Sequence, residues 1–314
     1  MAVRSETIGS DTGASLRAYV GDTDQSPPRA VVQINHGLAE HAARYGRFQD
    51  ALAAAGFASV AHDHRGHGAT NAPDSMPRVY AHKSGADKVL TDIEHVHGFA
   101  RGRWPEVPVV TFGHSAGGLM ALNFACKNPE ASAALAVWNS NASGGVAGRL
   151  AQVILAVEAR LNGGSTASKI IPKLTFDAWN RQLAPNRTDF DWLSRDDAEV
   201  DAYIADPLCG WSASVSMWRD IFRLIYGAGD TRNLSNLPSA LPIHLLGGGA
   251  DPATNGAKAT KAMAGKLAHV GCRNISLNTL PETRHESLNE TNRDETMAAF
   301  IAWLQDHFPV RQPA

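Results

Sequence analysis

The stretch VPVVTF-GHSAGG-LMALNFA, residues 107–125, joins an apolar strand to an apolar helix through a turn of the form Gly-x-Ser-x-Gly. A serine at such a junction has a strained backbone, which is tolerated only where the flanking positions carry no side chain. Gly113 and Gly117 occupy those positions. The first amides of the following helix would also face an oxyanion formed beside the serine. The stretch therefore predicts a nucleophilic role for Ser115, against the alternative of an ordinary glycine-rich loop.

Short apolar runs alternate with segments of helical periodicity on both sides of this stretch, which is typical of parallel strands joined by crossover helices. The sequence thus predicts an α/β fold with a mostly parallel central sheet flanked by helices. We expect an N-terminal hairpin over residues 6–8 and 15–20. The other predicted strands are residues 30–34, 58–61, 107–112, 134–138, 242–246 and 274–280, and the predicted helices include residues 45–55, 86–100, 215–226, 256–270 and 289–308.

The alternation of strands and helices stops between residues 139 and 210. Amphipathic helical segments over residues 147–161 and 196–204 replace the strands there, together with Phe176, Trp179 and Trp192. We expect this segment to form a helical cap, inserted between the two parts of one core at residues 1–138 and 211–314.

Composition excludes several classes of partner. The formal charge is -2 and no block of basic residues occurs, which over the whole chain disfavours nucleic acid and anionic membranes as partners. The three cysteines are widely spaced and form no disulfide or zinc pattern, which favours a reducing, cytoplasmic setting. No apolar run has the length of a transmembrane helix, and the N-terminus lacks the apolar core of a signal peptide.

A serine nucleophile needs a general base, and the base follows late in the chain when the serine lies on such an elbow. Of thirteen histidines, His285 follows a predicted strand by a short polar loop and precedes a helix. His244 lies within a predicted strand, whereas His269 and His307 lie in predicted helices. We therefore expect His285 to be the base.

The base needs an acid that orients it. Asp251 follows the strand over residues 242–246 through the flexible run Gly247-Gly248-Gly249-Ala250. Asp230 is the alternative, but it follows a helix and heads a polar turn, where an aspartate usually caps the next helix. We expect Asp251 to be the acid.

An oxyanion hole needs two backbone N–H donors, one from the residue after the nucleophile and one from a loop after an earlier strand. Ala116 supplies the first donor. The loop Asn35-His36-Gly37-Leu38-Ala39-Glu40-His41 follows the strand over residues 30–34, and Leu38 is expected to supply the second.

These motifs resemble the monoacylglycerol lipase and lysophospholipase branch of the α/β-hydrolase superfamily, a branch that is also called serine aminopeptidase-like. The matching segments are residues 36–41 (HGLAEH) with Arg44-Tyr45, 63–68 (DHRGHG), 113–118 (GHSAGG), 249–251 (GAD), 284–286 (RHE) and 288–290 (LNE).

The resemblance implies an α/β-hydrolase fold with a helical cap, and it assigns the same roles to the five residues named above. Ser115 is the implied nucleophile, Asp251 the acid and His285 the base, with the amides of Leu38 and Ala116 as the oxyanion hole. Ala116 departs from the methionine that is common in the branch, but only its backbone amide is needed.

Other motifs are expected to carry no cofactor or metal. His62, His64 and His67 match a structural loop of the family and have no carboxylate or cysteine at ligand spacing. The run Gly247-Gly248-Gly249 lacks the remaining features of a dinucleotide-binding fingerprint.

We expect a serine carboxylic ester hydrolase that forms an acyl-enzyme on Ser115 and acts on a small-molecule ester with an apolar acyl group. Monoglycerides or lysophospholipids are the substrates that the resemblance implies. Trp211, Trp218 and Phe222 are either core residues or part of an acyl pocket. Two alternatives remain: an amide or peptide hydrolase of the same fold, and a non-catalytic protein that binds a small ligand.

Overall fold

The computed structural model describes residues 3–310, in which eight strands form one sheet. The strands are β1 (Arg4–Gly9), β2 (Ser15–Gly21), β3 (Val31–Asn35), β4 (Ala58–His62), β5 (Val109–His114), β6 (Ala134–Trp138), β7 (Ile243–Gly248) and β8 (Ile275–Leu280). Their order in the sheet is β1-β2-β4-β3-β5-β6-β7-β8. The hairpin of β1 and β2 is antiparallel and pairs with β4 at one side, whereas β4, β3 and β5 to β8 run parallel.

Helices connect the strands and cover both faces of the sheet. They are α1 (Gly46–Ala54), α2 (Gly85–Arg103), α3 (Ala116–Lys127), α4 (Gly145–Asn162), α5 (Ile171–Leu174), α6 (Phe176–Arg181), α7 (Asp197–Ala205), α8 (Val215–Gly229), α9 (Thr231–Leu234), α10 (Lys258–His269) and α11 (Arg293–His307). Short 3₁₀ turns cover Ala42–Tyr45 and Pro252–Thr254. The predicted α/β architecture is confirmed, including the helices between the strands.

The two faces of the sheet bury different sets of side chains because neighbouring strand residues point to opposite sides. On one face, α1 and α11 pack over Ala136 and Trp138 of β6. On the other face, α2, α3 and α8 pack over Leu135 and Val137 of the same strand. The central strands β3 to β7 are buried along their whole length, as expected for parallel strands covered on both faces.

The closing helix begins later than predicted. The apolar spacing indicates a helix from residue 289, whereas α11 begins at Arg293. Glu290 instead accepts hydrogen bonds from the backbone N–H of Arg284 and from the guanidinium of Arg195. These long-range bonds hold residues 289–292 as a loop beside the carboxyl ends of β7 and β8.

Candidate active site

Ser115 lies on the sharp turn between β5 and α3. Its backbone has φ 53° and ψ -118°, a strained conformation for a residue with a side chain. A Cβ added at Gly113 would lie 2.2 Å from the carbonyl oxygen of Gly117, and one added at Gly117 would lie 2.1 Å from that of Asn35. The two glycines are therefore required by close backbone approach, and the turn holds the Ser115 side chain above the carboxyl end of the sheet.

Ser115, His285 and Asp251 form one hydrogen-bonded chain. His285 Nε2 lies 2.9 Å from Ser115 Oγ, and His285 Nδ1 lies 3.1 and 3.0 Å from the two carboxylate oxygens of Asp251. His285 and Asp251 are buried. The structure thus brings the three predicted residues together at hydrogen-bonding distance, although 170 residues separate the serine from the histidine.

Asp251 is held as a carboxylate by its surroundings. Burial alone would raise the pKa of Asp251, but the His285 imidazole and hydrogen bonds from Thr254 and Asn139 outweigh it and hold the pKa below its usual value. The backbone N–H of Ala253 also donates to this carboxylate. An ionised Asp251 keeps the proton of the imidazole on Nδ1 and leaves Nε2 free to accept the hydroxyl proton of Ser115.

The alternative acid, Asp230, lies elsewhere. Its side chain accepts a hydrogen bond from the backbone N–H of Arg232 and caps α9, and it forms a 2.8 Å ion pair with the guanidinium of the same residue. The other histidines considered as bases also have structural positions. His244 lies in β7 and accepts a hydrogen bond from Trp138 Nε1, whereas His269 and His307 lie at the ends of α10 and α11.

Two backbone amides are positioned beside Ser115 without partners of their own. Ala116 is the first residue of α3, so its N–H has no acceptor within the helix. No acceptor for the N–H of Leu38 occurs among residues 3–310. Both residues line the cavity at Ser115, and the chain turns at Ala39 with φ 58°. Leu38 and Ala116, whose amides are predicted to form the oxyanion hole, therefore both lie at the cavity with N–H groups that have no acceptor among residues 3–310.

A buried ion-pair network ties the two loops of the site together. Arg44 donates to Glu40 at 2.8 Å and to both carboxylate oxygens of Glu286 at 2.7 Å. Glu40 also accepts hydrogen bonds from the backbone N–H of Gly37 and the hydroxyl of Tyr45. The network therefore couples the loop that carries Leu38 to the loop that carries His285.

No catalytic or structural role was predicted from the sequence for the members of this network. Glu40, Arg44 and Glu286 were noted only as residues of the motifs that match the family. Their positions next to predicted site residues could have indicated a role in the site. Glu286 directly follows the predicted base, and Glu40 comes two residues after the predicted donor Leu38.

His114 links the same two loops from behind the serine. Its Nε2 donates to the carbonyl oxygen of His285 at 2.9 Å, and its Nδ1 lies 3.4 Å from Glu40 Oε1. Burial lowers the pKa of His114, but the Glu40 carboxylate outweighs this effect and raises the pKa above its usual value. Through these two contacts His114 supports the backbone of the His285 loop.

An apolar cavity of about 460 Å³ opens onto Ser115. Trp211, Trp218 and Phe222 line it, so that these residues face the cavity as well as the core that α8 forms with α3. Two further aromatic residues, Trp179 and Trp192, have ring centroids 6.5 and 4.9 Å from that of His285. Trp179 and Trp192 belong to the predicted cap segment 139–210, but their proximity to His285 was not predicted from the sequence.

Four histidines form a buried cluster near the cavity. His36, His62, His64 and His67 contact one another, and His64 Nδ1 lies 3.1 Å from His62 Nε2. Burial lowers the pKa of His36, His62 and His67 to about 3, so these rings are neutral at pH 7. Within residues 3–310, the group of three side chains whose potential ligand atoms lie within 4.8 Å of one another is a different one: His41, Asp206 and Cys209.

None of the helices in residues 3–310 combines the length and the apolar character that crossing a bilayer requires.

Comparisons with known proteins place the chain in a family. The family model described as "Serine aminopeptidase, S33" matches residues 26–292. A monoacylglycerol lipase of Mycolicibacterium smegmatis is 26% identical over 310 residues, which cover 98% of this chain and 99% of the relative. The monoglyceride lipase of Rattus norvegicus is 28% identical over 282 residues, which cover 84% of this chain and 82% of the relative.

Solved structures share the fold over almost the whole chain. A thermostable carboxyl esterase from Bacillus coagulans has a TM-score of 0.88 at 22% identity, with 98% of this chain and 99% of the other covered. A monoglyceride lipase from Saccharomyces cerevisiae has a TM-score of 0.74 at 17% identity, with 99% and 97% covered. At these identities the structures establish the α/β-hydrolase fold. The chain belongs to the serine aminopeptidase S33 family and is a serine ester hydrolase that resembles the monoacylglycerol lipases.

Proposed function

We propose that this enzyme hydrolyses monoacylglycerol-type esters with an apolar acyl chain, through an acyl-enzyme on Ser115. The observation that carries the proposal is the apolar cavity of about 460 Å³ that opens onto the Ser115–His285–Asp251 chain. A cavity of this size is large enough for a small lipid, and its aromatic lining suits a hydrocarbon chain. The sequence similarity to a monoacylglycerol lipase over 98% of the chain supports the choice of ester.

In the first half of the proposed reaction, the Ser115 hydroxyl attacks the ester carbonyl carbon. His285 Nε2 takes the hydroxyl proton, while Asp251 orients the ring and stabilises the imidazolium through Nδ1. The carbonyl oxygen becomes an oxyanion and accepts hydrogen bonds from the amides of Leu38 and Ala116. His285 then gives the proton to the leaving glycerol oxygen as the bond from carbon to that oxygen breaks.

In the second half, a water molecule takes the place of the leaving alcohol. His285 accepts a proton from the water, whose oxygen attacks the acyl carbon. The second tetrahedral intermediate collapses, and the proton returns to the Ser115 oxygen as the fatty acid is released. Removal of a single oxyanion donor costs roughly 2.7–4 kcal/mol in other serine hydrolases, which is the scale of the contribution expected from each amide.

The charges at the cavity favour an ester over an aminopeptidase substrate. An aminopeptidase needs a carboxylate that is available to bind the α-ammonium group of its substrate. Glu40 and Glu286 are the carboxylates among the described lining residues, and Arg44 binds both of them. We therefore favour an apolar ester over a peptide with a free amino end.

We also propose that residues 139–210 act as a cap over Ser115, between core parts at residues 1–138 and 211–314, of which residues 1–2 and 311–314 lie outside the described structure. Ala147, Gly148 and Ala151 of α4 line the cavity together with Trp179 of α6. The same segment contacts the catalytic loop, since the backbone N–H of Glu286 donates to the carbonyl oxygen of Leu193 at 2.8 Å. These contacts support a cap that shapes the acyl site and excludes water from the ester.

The outer face of α4 supports a substrate taken from an anionic lipid surface. Its large apolar side chains are exposed, namely Val146, Leu150, Val153, Val157 and Leu161. The exposed charged residues between positions 145 and 174 are all cationic, namely Arg149, Arg160, Lys169 and Lys173, whereas Glu158 is buried. An apolar stripe with a cationic rim is typical of a helix that lies in the membrane interface.

A cytoplasmic location is part of the proposal. Cys126, Cys209 and Cys272 are free and buried. Unpaired thiols are usual in a reducing compartment, and this observation supports the cytoplasm.

The decisive experiment is labelling with a fluorophosphonate probe, which reacts with an activated serine. Ser115→Ala should abolish labelling and reduce turnover of a monoacylglycerol by on the order of a millionfold, as in other serine hydrolases. Ser239→Ala is the matched control because Ser239 is an exposed loop serine, and it should label like the native protein. Labelling of Ser115→Ala at the native rate would overturn the proposed nucleophile.

A series of p-nitrophenyl esters tests the acyl site. Each methylene group that the cavity buries contributes up to about 0.8 kcal/mol, or roughly fourfold in kcat/KM. We expect kcat/KM to rise from acetate to longer chains until the cavity is filled. A flat series would contradict the acyl site while leaving Ser115 as the nucleophile.

A further inference from the structure

Three side chains from two distant segments meet beside the oxyanion loop. His41 follows β3, and Asp206 and Cys209 follow α7. His41 Nε2 lies 2.7 Å from Asp206 Oδ2, and one potential ligand atom of each of the three residues lies within 4.8 Å of the other two. His41 and Cys209 are each 8% exposed, and Asp206 is partly exposed. Imidazole nitrogen, carboxylate oxygen and thiolate sulfur are the atoms that bind zinc in proteins.

The charges around these residues favour a cation. Cys209 experiences the fields of Glu40, Asp206 and Glu286, and of one cation, Arg44. The carboxylates thus outnumber the guanidinium, and a divalent ion would offset the excess negative charge in a partly desolvated site. Arg44 is paired with both Glu40 and Glu286, so one positive charge faces two negative charges before Asp206 is counted.

His41 also has an unsatisfied ring nitrogen. Its Nδ1 is buried and has no hydrogen-bond partner among residues 3–310, whereas Nε2 faces Asp206. A buried polar atom without a partner costs about 1–3 kcal/mol. Nε2 is the ring nitrogen that faces Asp206, so a metal bound there would replace the contact between Nε2 and Asp206 and leave the ring proton on Nδ1.

We propose that His41, Asp206 and Cys209 form a zinc-type metal site that joins the loop after β3 to the segment after α7. Zinc–nitrogen and zinc–sulfur bonds of about 2.0 and 2.3 Å bring ligand atoms to roughly 3.5 Å of one another, so small side-chain rotations suffice. Three protein ligands leave the fourth tetrahedral position for water.

The site would act on the backbone that carries Leu38. The N–H of Gly210 already donates to the carbonyl oxygen of Ala39 at 3.0 Å, and the Tyr203 hydroxyl donates to the same oxygen at 2.9 Å. The contact of His41 with Asp206 is a third connection, and a bound metal would replace it with bonds to His41, Asp206 and Cys209. Metal binding therefore stabilises the position of the oxyanion loop against the segment after α7.

Metal binding at this site must release a proton. A cysteine thiol has an ordinary pKa of about 8.5 and is protonated at pH 7. A metal-bound cysteine is a thiolate, so one proton leaves for each ion bound and the affinity rises with pH.

The test is a titration of the metal-stripped full-length protein with Co²⁺, followed by competition with Zn²⁺. We expect one equivalent to bind, with a thiolate-to-cobalt charge-transfer band and the release of one proton in weak buffer. Cys209→Ser should remove the band and the proton release, and it should weaken Zn²⁺ binding by at least about 100-fold. Asp206→Asn, at a partly exposed position, should weaken binding while the fold is retained.

Cys272→Ser is the matched control. Cys272 and Cys126 are the other thiols of the chain, and both are buried. Binding to this variant should equal that of the native protein. The proposal fails if no stoichiometric binding occurs, if the band persists in Cys209→Ser, or if Cys272→Ser removes it. Fluorophosphonate labelling of each metal-free variant reports whether the catalytic site is still folded.

Discussion

Helices α3 and α4 are both apolar, but they have opposite relations to the core. Ten of the twelve residues of α3 are buried, against three of the eighteen residues of α4. The first helix is surrounded by protein, so its packing determines the position of Ser115. The second turns small residues to the cavity and large apolar residues to the solvent. The packing of α3 is therefore provided by the protein's own interior, whereas the outer face of α4 is left uncovered by residues 3–310.

Gly117→Ala tests the buried region most severely. The added Cβ would meet backbone atoms of Asn35 and His36 at 2.1–2.5 Å, and these atoms belong to β3 and the loop that follows it. We expect the free energy of unfolding to fall by at least about 3 kcal/mol, together with a loss of Ser115 labelling. Urea denaturation and fluorophosphonate labelling measure the two effects.

Gly102→Ala is the control for this substitution. Gly102 lies at the exposed end of α2, and a Cβ there meets no atom within 4 Å. Replacing an exposed helical glycine by alanine is expected to stabilise the protein by about 0.5–1 kcal/mol. If Gly117→Ala unfolded at the same urea concentration as the native protein, the account of the elbow would be wrong.

The residues around Ser115 were predictable because the constraint on each is local. A glycine before and after the serine, and an aspartate or histidine directly after a strand, can be identified from neighbouring residues alone. Each lies at the carboxyl end of a parallel strand, and these ends meet at one edge of the sheet. The predicted residues therefore converge without any knowledge of how the side chains pack.

Asp251→Asn breaks the chain of hydrogen bonds but leaves the backbone of the elbow unchanged. The neutral amide stabilises the imidazolium less than a carboxylate does. Its NH2 group also favours the tautomer that carries the proton on Nε2, and this tautomer cannot accept the Ser115 proton. We expect kcat to fall by about 10⁴, as for the equivalent change in other serine hydrolases, with little change in fluorescence-detected folding. Ester hydrolysis at saturating substrate measures the effect.

Asp230→Asn distinguishes the acid from its alternative. Asparagine caps a helix about as well as aspartate, so α9 should remain intact and activity should be close to that of the native protein. A larger loss of kcat in Asp230→Asn than in Asp251→Asn would reverse the assignment.

The remaining features could not be predicted because they depend on contacts between distant segments. Arg44 and Glu286 are 242 residues apart, and nothing local indicates that one guanidinium binds two carboxylates. The contact between Trp192 and His285 depends likewise on how the segment 139–210 folds back over the sheet. The exposed stripe of α4 has the periodicity of a core helix, so its sequence alone would predict burial.

The smallest expected effect comes from the outer face of α4. Leu150, Val153 and Val157 are more than half exposed, at 61%, 61% and 53%. Their combined replacement by serine should reduce binding to anionic vesicles, and the rate on a vesicle-borne monoacylglycerol, by at least about tenfold, because less apolar area enters the interface. Binding of the native protein should also weaken with salt, because the cationic rim contributes about 1 kcal/mol per charge.

The control is Leu277→Ser on β8, an apolar residue of 41% exposure outside the cap segment. It should bind vesicles like the native protein, which separates a general loss of surface hydrophobicity from loss of this stripe. The informative quantity is the ratio of rates on vesicle-borne and soluble esters, since a defect in the catalytic site lowers both. A triple variant that keeps the native ratio would mean that the outer face of α4 does not bind the lipid surface.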